Sequence, residues 1–493
     1  MIPAVKPIVD LDDQFARALP ELTQEWRPAP GRAPELLVLN HELAAELGLD
    51  ADALRSAAGI EILAGAVVPE GAHPVSQGYA GHQFGGYSPR LGDGRAVLLG
   101  EITEPDAALV DLHLKGSGRT AFARGGDGLA TVGPMLREHV VSEAMHALGI
   151  PTTRALAVTA TGEQVQREEL LPGAVLARIA SSHLRVGSFQ YAGHLADPSV
   201  LRRLADHAID RHHPGARHAA NPYLALFVAV VEAQARLVAH WMSVGFVHGV
   251  MNTDNTTISG QTIDYGPCAF MDGFDDATVF SSIDHAGRYA FGNQPPIVQW
   301  NLARLAEPLL PLFDDDVDEA VAAATEVLDT FPNLYRSAWR DLQRAKLGLA
   351  TPQPGDDELI GELRTVLASA RLDLTLTHRS LSAVVADRSD AAESPLATEP
   401  AGEAWLARYR ARIALEPAGP MAVAAAMDRV NPVYIPRNHK VEEALAAAVA
   451  GDLEPYRTLV DLVTHPYEAR PGMEAYAAPA EASTVPYQTY CGT

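Results

Sequence analysis

The sequence predicts an α+β fold of two lobes, a strand-rich N-terminal part followed by a helical C-terminal part. Three observations lead there. Up to about residue 190, short alternating apolar runs are separated by glycine-rich turns, which is the pattern of half-buried strands. Beyond that point apolar residues recur at helical spacing, most strongly from Asn221 to Gly245, a stretch apolar nearly all round and therefore suited to the centre of a core. Finally, 493 residues with 47% hydrophobic and 20% charged side chains can bury a large core. At about 150 residues per domain the length allows roughly three pieces. The division expected is residues 1–190 as an N-lobe with an N-terminal extension and a glycine-rich loop, 191–420 as a helical C-lobe, and 421–493 as a helical extension ending in a tail.

Taken in chain order, LVLNHELAAELGLD (Leu37 to Asp50) has helical spacing from Leu43 to Leu47 and stops at Gly48. A glycine-rich stretch, Gly78 to Gly94, leads into AVLLGEI (Ala96 to Ile102), a turn at Glu104 to Asp106, and LVDLHLK (Leu109 to Lys115), which together predict an antiparallel hairpin. A second glycine-rich loop, Gly116 to Gly128, precedes a helix over Met135 to Gly149. Strands resume at Ala155 to Val165, around a Thr161–Gly162 turn, and at Ala174 to Ser181. Helices are predicted again at Ile297 to Leu312, Asp316 to Thr330 and Asn333 to Lys346. Thr351 to Asp357 and Ser389 to Ala401 read as loops or linkers, and the last ~15 residues as a tail without a core of its own.

The charge balance of 38 Lys+Arg against 62 Asp+Glu gives −24. Phosphate backbones are held by clustered cations, so the balance argues against nucleic acid as a partner while leaving room for a local basic pocket. The N-terminus lacks a basic segment followed by an apolar one, and no apolar run approaches about 18 uninterrupted residues, so a soluble, cytoplasmic protein without membrane contact is expected. A monomer is expected by default, since oligomeric state leaves no mark in the sequence. Two cysteines, Cys268 and Cys491, rule out a disulfide scaffold.

The chemistry concentrates in HGVMNTDN (His248 to Asn255) and ISGQTIDYGP (Ile258 to Pro267), directly after the apolar helix. A His-Gly turn, a carboxylate with a carboxamide, and a short hairpin ending in Asp-Tyr-Gly is how a protein-kinase-like lobe presents its catalytic loop and metal-binding aspartate. Asn255 and Asp264 supply hard oxygen ligands, enough for Mg²⁺ when ATP brings the others. Asp-Tyr-Gly alone is a turn signal. Upstream, however, Lys115 ends a strand after a glycine loop and Glu138 lies early in the next helix, the order of the Lys–Glu pair in kinase-like sites. Gly92, Gly94 and Arg95 would let backbone approach phosphate. One departure is sharp: where a kinase has its catalytic Asp two residues after His, this chain has Val250. Asp254 is the nearest candidate base.

These residues, with SQGYAGHQFG, LGDGRAVLLGE, LHLKGSGRTAFARGGDG, RIASSHLRVGSFQYA, DYGPCAFMD and NPVYIPRNH, make the chain resemble a bacterial member of the selenoprotein O family, kinase-like pseudokinases that transfer AMP to proteins. The resemblance implies a protein adenylyltransferase with redox regulation, in which ATP sits inverted and its AMP passes to Ser, Thr or Tyr hydroxyls of protein substrates. It implies that Gly92, Gly94, Arg95, Lys115, Asp127, Gly128, Arg178, Arg185 and Asp264 contact ATP, with Glu138 pairing Lys115. Asn255 and Asp264 would hold Mg²⁺, or Mn²⁺ in its place, and Asp254 would be the base. Arg178 and Arg185 provide charge-assisted forks suited to phosphate oxygens. The resemblance also implies a regulatory disulfide between Cys268 and Cys491. The alternative is a small buried Cys268 and an unpaired tail cysteine. His183, His207, His212, His213 and His218 read as solvated or capping residues rather than metal ligands, and FDDDVDE (Phe313 to Glu319) as an exposed acidic helix start. Two competing readings use the same motifs: a phosphotransferase that works through Asp254, and a non-catalytic ATP-binding scaffold.

Overall fold

The computed structural model describes residues 7–29, 31–388, 394–481 and 487–489. Its main sheet is antiparallel and seven-stranded, formed by β1 (Thr23–Glu25), β2 (Glu35–Leu39), β3 (Val75–Gln77), β6 (Ala96–Thr103), β7 (Leu109–Lys115), β8 (Arg154–Gln166) and β9 (Leu170–Ala180). The order across the sheet is β1-β3-β6-β7-β9-β8-β2. A separate small hairpin joins β4 (Gly81–Gln83) to β5 (Gly86–Ser88). Strand alternation divides the side chains of the main sheet between two cores. Val110, Leu112 and Leu114 of β7 and Val175, Ala177 and Ile179 of β9 face one side. There they pack under α2 (His41–Glu46), α3 (Ala51–Arg55) and α4 (Ala57–Leu63), which follow a short α1 (Gln14–Ala18). Asn40 starts α2 by accepting the Leu43 N–H at 3.0 Å, and Gly48, at φ 68°, lets the chain leave it. The opposite face of the sheet receives α5 (Val132–Ala147), which begins three residues before the helix predicted from the sequence and packs Leu136, Val140 and Ala144 against the sheet core.

The long β8–β9 hairpin corrects one expectation. Thr161–Gly162 is not the turn; Gly162, at φ 73°, sits in a bulge where the register shifts between Ala160 and Gln164. The chain reverses at Arg167, whose N–H donates to the Glu169 carbonyl at 2.9 Å.

From residue 186 onward the chain is helical: α6 (Val186–Ala192), α7 (Ser199–His212), α8 (Pro222–Val244), α9 (Gln294–Phe313), α10 (Val317–Lys346), α11 (Asp356–Ala370), α12 (Leu374–Val385), α13 (Pro400–Ile413), α14 (Pro420–Asp428), α15 (Asn438–Val449), α16 (Glu454–Thr464) and α17 (Glu474–Ala477). The apolar α8 packs against α7, α9 and α10, which explains a composition that would also suit a membrane span. Two helices expected at Asp316–Thr330 and Asn333–Lys346 are one, α10, running through Pro332. Asp316 caps it, so FDDDVDE is the exposed helix start expected. Between α8 and α9, β10 (Phe246–Val247) pairs with β11 (Ala269–Phe270), so that residues 248–268 form a loop on a fixed stem. The C-terminal helices brace this stem and α5. Tyr456 bonds both His139 (2.8 Å) and the Leu136 carbonyl (2.9 Å). Buried Arg437 pairs with Asp272 (2.5 Å) and Asp373 (2.6 Å), and Asn438 donates to the Phe270 carbonyl. Arg437 and Asn438 of NPVYIPRNH thus pack the segment just past the loop.

The histidines need correction. His183 is fully buried and bonded to Asp111, and His212 is bonded to Ser182 at 2.7 Å, so neither is a solvated residue; His218 is exposed as expected. The tail also has a seat: Thr489 donates to the Pro267 carbonyl at 2.6 Å, and Tyr487 packs edge-on to Phe280.

Candidate functional site

The period of two that buries Leu112 and Leu114 sends Asp111, His113 and Lys115 to the α5 side, and the β7–β9 register sets His113 directly opposite Arg178. Lys115 then meets Glu138 of α5 at 2.6 Å. Arg178 reaches the other oxygen of Glu138 at 3.1 Å. Lys115 and Arg178 each also approach Asp264 Oδ1 at 2.6 Å, while Arg185 donates to Asp264 Oδ2 at 3.2 Å. Burial by itself would raise the Asp264 carboxyl, but the three cations outweigh it and hold the group well below the ordinary carboxylate range. Asp264 has φ 62°, a left-handed backbone that is uncommon outside glycine and that aspartate tolerates better than most residues.

Behind Arg178 stands a buried polar layer. The guanidinium can only donate, so its Nε on His183 Nε2 (3.2 Å) and its Nη2 on His113 Nδ1 (3.3 Å) make both of those ring nitrogens acceptors. The protons therefore sit on His183 Nδ1, which donates to Asp111, and on His113 Nε2, which donates to Asp93. The two rings stack at 4.1 Å. Burial, with His113 alongside, holds His183 down to about 3, so the neutral form persists. Arg185 is fixed differently: its guanidinium lies 4.5 Å over the Tyr79 ring, and Nη1 also donates to the Asp254 carbonyl oxygen at 2.7 Å.

In the 248–268 loop, His248 donates Nε2–H to the Ile263 carbonyl at 2.9 Å, tying the His-Gly turn to the segment that carries Asp-Tyr-Gly. Val250 is a buried apolar side chain. Asp254 is buried too; Gln83 of the β4–β5 hairpin donates to its Oδ2 at 3.0 Å, and its Oδ1 has no hydrogen-bond partner. Burial pushes this carboxyl up to about 6. Asn255 donates Nδ2 to the Val250 carbonyl at 2.9 Å, which leaves its Oδ1 as a hard acceptor.

Lys115, Glu138, Arg178, Arg185 and Asp264 thus form one contiguous cluster, with Asp254 joined through Arg185 and Asn255 adjacent in the chain. Gly92, Gly94 and Arg95 lie at the same end of the sheet: Ala96 pairs with Lys115, and the Arg95 carbonyl accepts the Gly116 N–H at 2.7 Å. Gly92 packs on Phe122, where a side chain would collide. Gly128 closes on the backbone of Gly118 and Arg119 with no room for a Cβ. Asp127, in contrast, is turned to Arg167 at 2.7 Å. Cys268 is buried, with the Arg137 guanidinium on its carbonyl at 2.9 Å; Cys491 lies outside the described residues. Sequence reasoning missed Tyr79, Gln83, Asp93, Asp111 and His113 and misread His183. The alternation in LVDLHLK was the available signal, since Asp111 and His113 share the face of Lys115.

Three guanidinium or ammonium groups around one carboxylate, with a second buried carboxylate nearby, can neutralise a polyanion and accept a proton, the requirements of an enzyme that transfers a group from a phosphate anhydride. The model of the family described as protein adenylyltransferase SelO matches residues 10–464, and the chain belongs to that family. It is 60% identical over 491 residues, 98% of each chain, to the protein nucleotidyltransferase YdiU of Mycolicibacterium smegmatis. It is also similar to the proteins of the same name from Pseudarthrobacter chlorophenolicus, 56% identical over the whole of both chains, and Cereibacter sphaeroides, 56% identical over 98% of this chain and 99% of the relative.

Proposed function

We propose that this cluster binds ATP and transfers its AMP moiety to a Ser, Thr or Tyr hydroxyl of a protein substrate, releasing pyrophosphate. The observation that carries the reading is the joint placement of Arg178 and Arg185 with Lys115 on Asp264. A kinase-like site needs the lysine; two further buried arginines suit a triphosphate held with its terminal phosphates inward. The kinase-like division into lobes at 1–190 and 191–420, with an extension at 421–493, belongs to the same proposal. The Lys115–Glu138 pair and the loop on the β10–β11 stem support it.

The donor set fits Mg²⁺: Asn255 Oδ1 and the Asp264 carboxylate are hard oxygens, and phosphate and water would supply the remaining ligands. When bound, the ion would offset charge on the phosphates and the leaving pyrophosphate. The residues themselves do the rest. Arg178, locked by two imidazoles, and Arg185, stacked on Tyr79, present fixed donors to phosphate oxygens and need little reorganisation. The acceptor oxygen attacks the α-phosphorus and the bond from that phosphorus to the bridging oxygen breaks. Asp254, oriented by Gln83, takes the hydroxyl proton.

The test is paired incubation with ATP labelled at the α- or γ-phosphate. Label retained in protein from α alone is expected. Label from γ alone would replace the reading with phosphotransfer, and ATP binding without either label would favour the scaffold. Redox control through Cys268 and Cys491 is proposed with it, supported by Thr489 being seated on Pro267. Cys491→Ser should abolish the mobility difference between oxidised and reduced protein.

A further inference from the structure

Next to Asp254 the hairpin β4–β5 carries features that the handling of ATP does not use. Its backbone is pinned to the catalytic loop. The His82 N–H donates to Thr253 Oγ1 at 2.7 Å, and the Phe84 N–H donates both to Asn252 Oδ1 and to the Tyr289 hydroxyl at 3.1 Å. Its tip nonetheless shows two aromatic side chains to solvent, Phe84 and Tyr87, each 38% exposed. Phe84 holds a left-handed φ of 51°, a conformation with no local advantage for an aromatic residue.

Alongside lie two arginines, Arg288 and Arg304, whose guanidinium carbons sit 4.9 and 5.0 Å from the Trp300 ring centre. Each keeps a buried Nε without an acceptor. Among the described residues Arg288 has no carboxylate within ion-pair distance, and Arg304 has only the exposed Glu307, at 2.8 Å. In a chain of net charge −24, two guanidinium groups with one exposed carboxylate, Glu307, as their ion-pair partner among the described residues set this face apart. A guanidinium stacked on an aromatic face keeps its edge available for a bidentate carboxylate.

Resting on the adenylyl-transfer reading above, we propose that the β4–β5 hairpin together with Arg288, Trp300 and Arg304 is the acceptor platform, and that it fits a polypeptide whose acceptor hydroxyl is flanked by Glu or Asp. The exposed rings cover the acceptor's backbone and side chains, the arginines take its carboxylates, and the link from Gln83 to Asp254 sets the distance from platform to base.

The probe is a random copolymer of Glu and Tyr, compared with one of Lys and Tyr, in reactions with α-labelled ATP and Mg²⁺. The wild-type enzyme should label the Glu,Tyr polymer in preference. Arg288→Glu and Arg304→Glu should each raise KM for that polymer about tenfold and leave KM for ATP within twofold, because at a half-buried position attraction for the acceptor's carboxylates becomes repulsion. Arg288→Glu should also move preference toward the Lys,Tyr polymer. Phe84→Ala, which keeps the charges, should raise KM for both polymers. Unchanged ATP affinity in each variant shows an intact fold. Robust α-labelling by the wild type with no change of polymer KM in either charge reversal would overturn the platform and leave adenylyl transfer standing. Absence of α-label from every acceptor, with ATP bound, would overturn both.

Discussion

Asp264 is the residue on which the site's electrostatics converge. Its replacement by Asn leaves Lys115 and Arg178 sharing Glu138 and takes from Arg185 its carboxylate partner, and removal of one partner from a buried ion network costs about 3–5 kcal/mol. Asp264→Asn should therefore lose α-label transfer and also lower the melting temperature by several degrees; a fully active variant would remove the metal role assigned to it. Asp93 acts at one remove. Through His113 Nε2 it keeps Nδ1 unprotonated and facing Arg178. Asp93→Asn can donate to that nitrogen, reverse the tautomer and turn an N–H toward the guanidinium. KM for ATP should rise about 10- to 100-fold, the range for lost outer-shell partners, with the ¹⁵N shifts of His113 reporting the exchange of tautomers. Unchanged shifts with a raised KM would point instead to simple loss of packing.

At the scale of elements, α10 shows how a helix survives a proline that the sequence pattern takes as a break. Pro332 has no N–H for the Leu328 carbonyl four residues earlier, and Gln299 of α9 donates Nε2 to that carbonyl at 3.1 Å. The neighbouring helix thus supplies the missing donor. Pro332→Ala should raise stability by up to about 3 kcal/mol. Gln299→Leu should cost about 1 kcal/mol in the wild-type background and little in the Pro332→Ala background. Denaturant unfolding of the four proteins measures the coupling, and purely additive effects would contradict this account.

For the whole molecule, burial leaves a pronounced acid sensitivity. His183, His212 and His378 are held to about 3 by burial, whereas in the unfolded chain they titrate near 6.5. Their neutral forms therefore contribute stability that is complete above pH 6.5 and is lost as pH falls from there toward 3. Glu101 works the other way. Burial raises it to about 7, so it takes up its proton in the folded state first and stabilises as pH falls from 7 toward 4.5. Asp254, raised to about 6, acts in the same sense as Glu101; three sites against two still leave the unfolded state binding about one proton more, and stability should fall by about 1.4 kcal/mol per pH unit between 6 and 5. Melting temperature against pH checks the sign, and Glu101→Gln should steepen the loss.

The sequence by itself determined much here, because local physics carries it. Alternation in LVDLHLK and the turn at Glu104 to Asp106 gave the β6–β7 hairpin, the apolar helix gave the core element α8, and the order of Lys115, Glu138, Asp254, Asn255 and Asp264 gave the line of the site. What only tertiary structure decided are relations between residues far apart in the chain. Gln299 bridges to α10, so two predicted helices are one. Arg437 reaches Asp272, and the paired imidazoles turn His183 from an apparent surface residue into a clamp on Arg178. Asp127, for which the family resemblance implies a contact with ATP, is paired with Arg167, 40 residues away in the chain. Each depends on which polar group is left without water once the core closes. A buried donor or acceptor must then find its partner wherever the fold brings one, and no spacing in the sequence records that distance.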